Sequence, residues 1–149
     1  MPRKTKIALI IALLPVIAGG IFFWDTPRRQ VALILERPAI EQRAEAYLQA
    51  EKENNHRQVY ALLAPSSLYR QKNSYDDFLQ EAQNAPKKIR TYQIVDIYRL
   101  RDNDDKSVYP SVDKLVQVEV EITFTDTGEN SIYNYCFTFL KEKGTWYKG

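Results

Sequence analysis

Between Leu115 and Thr125 the chain reads LVQVEVEITFT, with apolar and polar side chains alternating to the end of the run. Successive side chains of a β-strand point to opposite faces, so a sustained period of two predicts a strand buried on one side. Val116, Val118, Val120, Ile122 and Phe124 then face a core, and Gln117, Glu119, Glu121 and Thr123 face away. One half-buried strand is not stable alone. The rest of the chain has to supply strands to pair with it and a layer to cover its apolar face.

The partners are legible on both sides. IRTYQIVDIYRLR, from Ile89, reads as a strand with Tyr92, Ile94, Asp96, Tyr98 and Leu100 on one face and Val95 and Ile97 on the other. Both faces are partly apolar, which predicts a β-bulge or strong curvature near Val95. After the long polar connection DNDDKSVYPSVDK and the strand beyond it, DTGENS is a turn. IYNYCFTFLK alternates again, with Tyr133, Tyr135, Phe137 and Phe139 on one side. EKG then turns into a closing strand, TWYK, whose Trp146 should pin it against the covering layer.

That layer precedes the strands and is helical. Pro38 suits the first turn of a helix that carries Ile40, Ala44, Tyr47 and Leu48 at helical spacing. Asn54 or Asn55 can cap a second helix bearing Val59, Tyr60, Leu62 and Leu63, which APSS ends. A third opens at Ser74, where Ser and Asp three residues apart resemble a capping box. It buries Phe78, Leu79 and Ala82 and stops at Pro86. The fold class is therefore α+β: three helices packed on one face of a curved antiparallel sheet of about four strands.

The N-terminus is of a different kind. From Ile7 to Trp24 there is no charged side chain. As a helix this run would span roughly 27 Å, close to the hydrocarbon thickness of a bilayer. Trp24 stands where an interfacial aromatic belongs, and Arg3, Lys4 and Lys6 favour a cytoplasmic N-terminus. The expected organisation is a basic cytoplasmic tail over 1–6, a transmembrane anchor over 7–24, a juxtamembrane linker over 25–37 and an extracytoplasmic domain over 38–149. The small residues Ala18, Gly19 and Gly20 leave signal-peptide cleavage open as the alternative.

Charge then excludes some functions. Three of the 21 Lys and Arg precede the apolar run and all 19 acids follow it, so the remainder has a net charge of −1. It has no basic field to gather phosphates, which argues against nucleic acid as a partner. One Cys and one His cannot furnish the usual zinc ligands, and no metal or cofactor is expected. Cys136, in a strand pattern, is expected to be a small buried hydrophobe, and His56 to lie solvated at a helix start. DNDDKSVYPSVD spaces its acids like a calcium loop but lacks the central glycine and puts Lys106 at a ligand position.

Three stretches carry a family resemblance: AEAYLQAEKENNHRQVYALLAPSS, YDDFLQEAQNAPKKIRTYQI and YCFTFLKEKGTWYKG. In this order they resemble the helices and closing strands of the NTF2-like (cystatin-like) superfamily, over most of residues 38–149. With the apolar run, the layout is similar to bacterial membrane-anchored extracytoplasmic NTF2-like domains. Among these are the domain preceding some penicillin-binding modules and the inner-membrane component of type IV secretion systems. The resemblance implies a cleft between sheet and helices, but it fixes no activity, since this superfold hosts enzymes, binders and scaffolds.

Ketosteroid isomerases of this superfamily work with an Asp base and a Tyr-containing oxyanion hole. The corresponding candidates here are Asp96, Tyr92, Tyr98, Tyr133 and Tyr135, expected together at the cleft. No second inward carboxylate accompanies Asp96, so catalysis is not the expectation. The expected function is an accessory module at the bacterial inner membrane that docks onto another envelope or secretion-system protein, with homo-oligomerisation left open. The alternative is a small-molecule or peptide binder using the cleft.

Overall fold

The computed structural model describes residues 25–84, 87–125 and 132–149. Among these, four helices, α1 (Asp25–Lys52), α2 (His56–Leu62), α3 (Leu68–Lys72) and α4 (Tyr75–Asn84), precede four strands. The strands β1 (Ile89–Asp102), β2 (Val112–Phe124), β3 (Ile132–Glu142) and β4 (Thr145–Lys148) form one antiparallel sheet in the order β1-β2-β3-β4. The α+β class and the four-stranded antiparallel sheet are as the sequence predicts. No described helix is long and apolar enough to cross a membrane, and the predicted anchor at 7–24, like the DTGENS turn and Pro86, lies outside the described residues.

The helical layer differs from expectation at its start. Residues 25–37, expected as a linker, are helical from Asp25, and Pro38 lies inside α1 instead of opening it. Proline forfeits one hydrogen bond to the carbonyl four residues back, but Gln, Glu, Arg, Ala and Leu on either side are good helix formers and carry the helix through. The compact unit that holds the sheet begins at Glu36.

The other helix starts follow the sequence. Asn55 caps α2 by accepting from Gln58 N–H at 3.2 Å. Ser74 and Asp77 form a reciprocal box in front of α4: Ser74 Oγ accepts from Asp77 N–H at 3.2 Å, and Asp77 Oδ2 accepts from Ser74 N–H at 2.8 Å. The Ser74 hydroxyl also donates to Asp77 Oδ2 at 2.7 Å, and this bond, followed by that from Ser74 N–H, holds the Asp77 carboxyl below its ordinary value. The additional helix, α3, is a five-residue turn capped by Ser67, too short to show a period of its own.

On β2 the predicted alternation is met. Val116, Val118 and Val120 are fully buried and Ile122 nearly so. The contacts from α1 reach that same face: Glu36 to Lys114, Lys141 and Trp146, Tyr47 to Phe137, and Tyr92 to Gln49. Ile40, Ala44 and Leu48, one turn apart along α1, are buried as the helical spacing requires. Trp146 is buried as expected, and its indole N–H donates to Glu36 at 3.1 Å. A smaller second core forms on the opposite face, where Ala64, Val112 and Leu140 pack with Tyr109, Leu115 and Tyr147.

The β3–β4 turn consists of Lys143 and Gly144 with φ of 49° and 82°. Positive φ at both positions matches the right-handed twist of the strands it joins, and a glycine at the second position adopts it without strain.

Candidate interaction site

The bulge expected near Val95 is present: Ile94 pairs with Val120 and Asp96 with Glu119, leaving Val95 as an extra residue. Its consequence divides the candidate set. One inserted residue reverses the alternation, so Ile97 pairs with Val118 on the core face while Asp96 and Tyr98 pair with Glu119 and Gln117 on the opposite face. Tyr92, Tyr133 and Tyr135 keep to the helix side, paired through Ile122 and Val120. The five residues expected at one cleft thus lie on two faces of the sheet.

Their surroundings differ accordingly. Asp96, with a side chain 52% exposed, accepts from Ile97 N–H and lies 3.6 Å from Arg37. The Tyr98 hydroxyl lies 3.3 Å from Cys136 Sγ, and this contact, followed by burial, raises the phenol above its ordinary value. Cys136 is exposed and not buried, because it pairs with Glu119 on the outer row. Tyr92 donates to Gln49 Oε1 at 3.1 Å, and burial raises it together with the charges of Glu45 and Glu53. In the DNDDKSVYPSVD loop Asn103 Nδ2 donates to the carbonyls of Tyr109 and Val112, and Lys106 pairs with Asp113 at 3.7 Å.

On the helix side the aromatic side chains form a row. Phe124 meets Tyr133 at 5.7 Å and Tyr135 at 6.1 Å, and Tyr135 stacks on Phe137 at 5.9 Å with an interplanar angle of 8°. An ammonium stands at each end. Lys87 Nζ is 5.2 Å from the Tyr133 ring centroid, and Lys148 Nζ is 5.3 Å from that of Phe137. Both lysines line a cleft of about 470 Å³ with Tyr69, Phe78, Glu51 and Glu81. Burial pushes the Lys148 ammonium below its ordinary value, against the pull of Glu51. The two carboxylates are engaged by phenols: Tyr47 donates to Glu51 and Tyr69 to Glu81, each at 2.7 Å. The Tyr69 phenol is pushed up to about 12, by burial first and then by the bond to Glu81.

The two edges of the sheet are unlike each other. β1 carries three register shifts and the charges of Arg90, Asp96, Arg99, Arg101 and Asp102, with Arg99 at φ 55°. Bulges and charges of this kind discourage another strand from pairing. β3 is opposite in character. β4 covers only Phe139–Glu142, and Gly149 N–H bonds to Thr138 O just beyond. From Ile132 to Phe137 no described strand covers the outer edge, no residue is charged, and the pairing with β2 is regular. Since Thr138 directs its carbonyl outward, strand alternation also directs the N–H and C=O of Ile132, Asn134 and Cys136 outward. Ile132 is 64% exposed. Beside the end of this edge lies a groove of about 420 Å³ lined by Leu68, Tyr69, Tyr109, Cys136, Phe137 and Thr138.

No protein-family model matches the chain, and no curated protein matches its sequence. Lys87, Lys148 and the open β3 edge are absent from the set expected from sequence. The uncharged run Ile132–Leu140 was the one available signal for the edge, and it reads as strand whether or not a neighbour covers it.

Proposed function

We propose that the folded unit is a docking module that takes an extended segment of another protein as an additional strand beside β3. The asymmetry of the edges carries this reading: β1 is protected against pairing, while β3 presents regular, uncharged backbone next to a groove that can receive side chains. Strand addition combines these features, with backbone hydrogen bonds supplying affinity and pockets for alternate side chains supplying selectivity. The order of helices before an antiparallel sheet supports an NTF2-like unit. The apolar run over 7–24 supports an anchor that holds it outside the cytoplasm at a bacterial inner membrane, among envelope proteins. A tether of this kind raises the effective concentration of nearby partners, so a short strand suffices for docking. Catalysis by Asp96 has less support, because its carboxylate is half-exposed and Tyr92, Tyr133 and Tyr135 lie on the other face.

Asn134→Pro removes one outward N–H while leaving the β2 side of β3 intact, a position where edge strands tolerate proline. It is expected to abolish photo-crosslinking of partner protein at residue 136 in cells and to lower the melting temperature by only a few degrees. Ile132→Lys, a charge on the same edge, should give the same loss. Undiminished crosslinking in both variants would refute strand addition. The anchor has its own test: protein purified from membranes should retain Met1 or Pro2 by intact mass, whereas a start near Ile21 would show cleavage.

A further inference from the structure

We propose that the segment added at the β3 edge is acidic, with carboxylates four residues apart that meet Lys148 and Lys87. The inference rests on the strand-addition reading above and goes on to name the chemistry of the partner. Lys148 faces Phe139 across the sheet, and Gly149 N–H bonds to Thr138 O, so β4 already defines the row that an added strand continues. Running antiparallel to β3 in that row, the first residue of the segment lies opposite Phe137, the third opposite Tyr135 and the fifth opposite Tyr133. Residues directly opposite share a face, with Cβ atoms about 5 Å apart. The first, third and fifth side chains therefore rest on the aromatic row, and the second and fourth face the other way.

Each of these positions has a distinct environment. Lys148 Nζ stands 5.3 Å from the Phe137 ring and Lys87 Nζ 5.2 Å from the Tyr133 ring, within reach of a carboxylate on the first and on the fifth residue. Neither ammonium forms an ion pair with a described carboxylate side chain. Lys148 donates to Gly149 O, which occupies one of its three protons. The third residue lies over Tyr135, which suits an aromatic or branched apolar side chain. The second shares the face of Cys136 and the groove lined by Leu68, Tyr69 and Tyr109, which suits an apolar side chain. Charge also selects against a second copy of this chain. In antiparallel pairing centred on Tyr135, Lys87 of one copy would lie beside Lys148 of the other at both ends, and like charges so placed repel.

The test uses the full-length chain labelled with ¹⁵N and the capped heptapeptide Ser-Glu-Val-Tyr-Thr-Glu-Ser. Binding should shift the amide resonances of Ile132, Asn134 and Cys136. Replacing either Glu of the peptide by Gln should weaken binding about tenfold, the loss of one charge-assisted hydrogen bond. Lys148→Met should remove the penalty at the first Glu and Lys87→Met that at the second. Equal affinity of the Glu and Gln peptides, with the β3 shifts retained, would overturn the acidic specificity and leave strand addition standing. Shifts at β3 that grow with protein concentration in the absence of peptide would make a second copy the occupant and overturn the proposal. If no peptide moves these resonances, the proposal and the docking reading fall together.

Discussion

Val120→Asp is expected to leave the chain without a cooperative unfolding transition. Val120 is fully buried and lies between Ile94 on β1 and Tyr135 on β3, at the centre of the sheet and beneath the helical layer. A carboxylate there would have neither water nor a paired cation: Lys114 and Lys141 are committed to Glu36, and Lys87 and Lys148 stand at the ends of the aromatic row. Burying an unpaired charge costs upwards of about 4 kcal/mol after local relaxation. That is comparable with the whole stability of an ordinary domain, about 5–15 kcal/mol. Thermal unfolding followed by circular dichroism decides the matter. A cooperative melt within a few degrees of the parent would mean that β2 is not the central strand. Glu121→Lys, half-exposed on the other row, is the matched control and should melt close to the parent.

Trp146→Ala should destabilise the unit by about 3–5 kcal/mol, through the cavity left by a large buried side chain and the loss of its indole bond. For a unit of this size that corresponds to a fall in melting temperature on the order of 15 °C or more. The bond also gives the variant a second signature. Burial alone would raise the Glu36 carboxyl, but hydrogen bonds from Lys141 at 2.6 Å, Trp146 at 3.1 Å and Lys114 at 3.3 Å outweigh it and hold the group below its ordinary 4.5. A carboxyl depressed on folding contributes stability that is fully present above the unfolded value and is lost as pH falls through the folded one. The gap in stability between the parent and Glu36→Gln should therefore be constant from pH 6 to 8, at about 2 kcal/mol, and should close below pH 4.5. In the Trp146→Ala background the closing should start at the same pH, set by the unfolded carboxyl, but should be complete at a higher pH and from a smaller gap, because one of the bonds that depress Glu36 has gone. A gap independent of pH would show that Glu36 does not tie α1 to the sheet.

The two substitutions probe different kinds of information. Val120 was legible as core in the sequence because strand side chains alternate by strict geometry, and the ten residues of alternation from Val116 to Thr125 admit no competing period. The helix starts at Asn55 and Ser74 were legible for a related reason, since a cap is a contact between residues three apart and needs nothing from the rest of the chain. The bulge at Val95 was legible too, as apolar side chains on both faces of one strand. What it does to the site was not. One inserted residue moves Asp96 and Tyr98 to the face opposite Tyr92, Tyr133 and Tyr135, and the register that decides this exists only once β1 lies against β2. α1 passes through Pro38 on the strength of its neighbours in sequence and of the packing of Ile40 and Ala44, which local propensity does not include.

The features proposed to bind a partner are of this second kind throughout. Lys87 and Lys148 are 61 positions apart in sequence, and only the sheet brings them to the two ends of one aromatic row. IYNYCF reads as strand in any environment; that no strand among the described residues pairs with its outer side is visible only from the β3–β4 register, which covers Phe139–Glu142. Fold class, the central strand and the capped helices were determined by the sequence itself, because periodicity and caps are interactions between near neighbours. Which residues share a face, which edge is protected and which cations meet were decided by strand register and sheet order, and these depend on contacts between residues far apart in the chain.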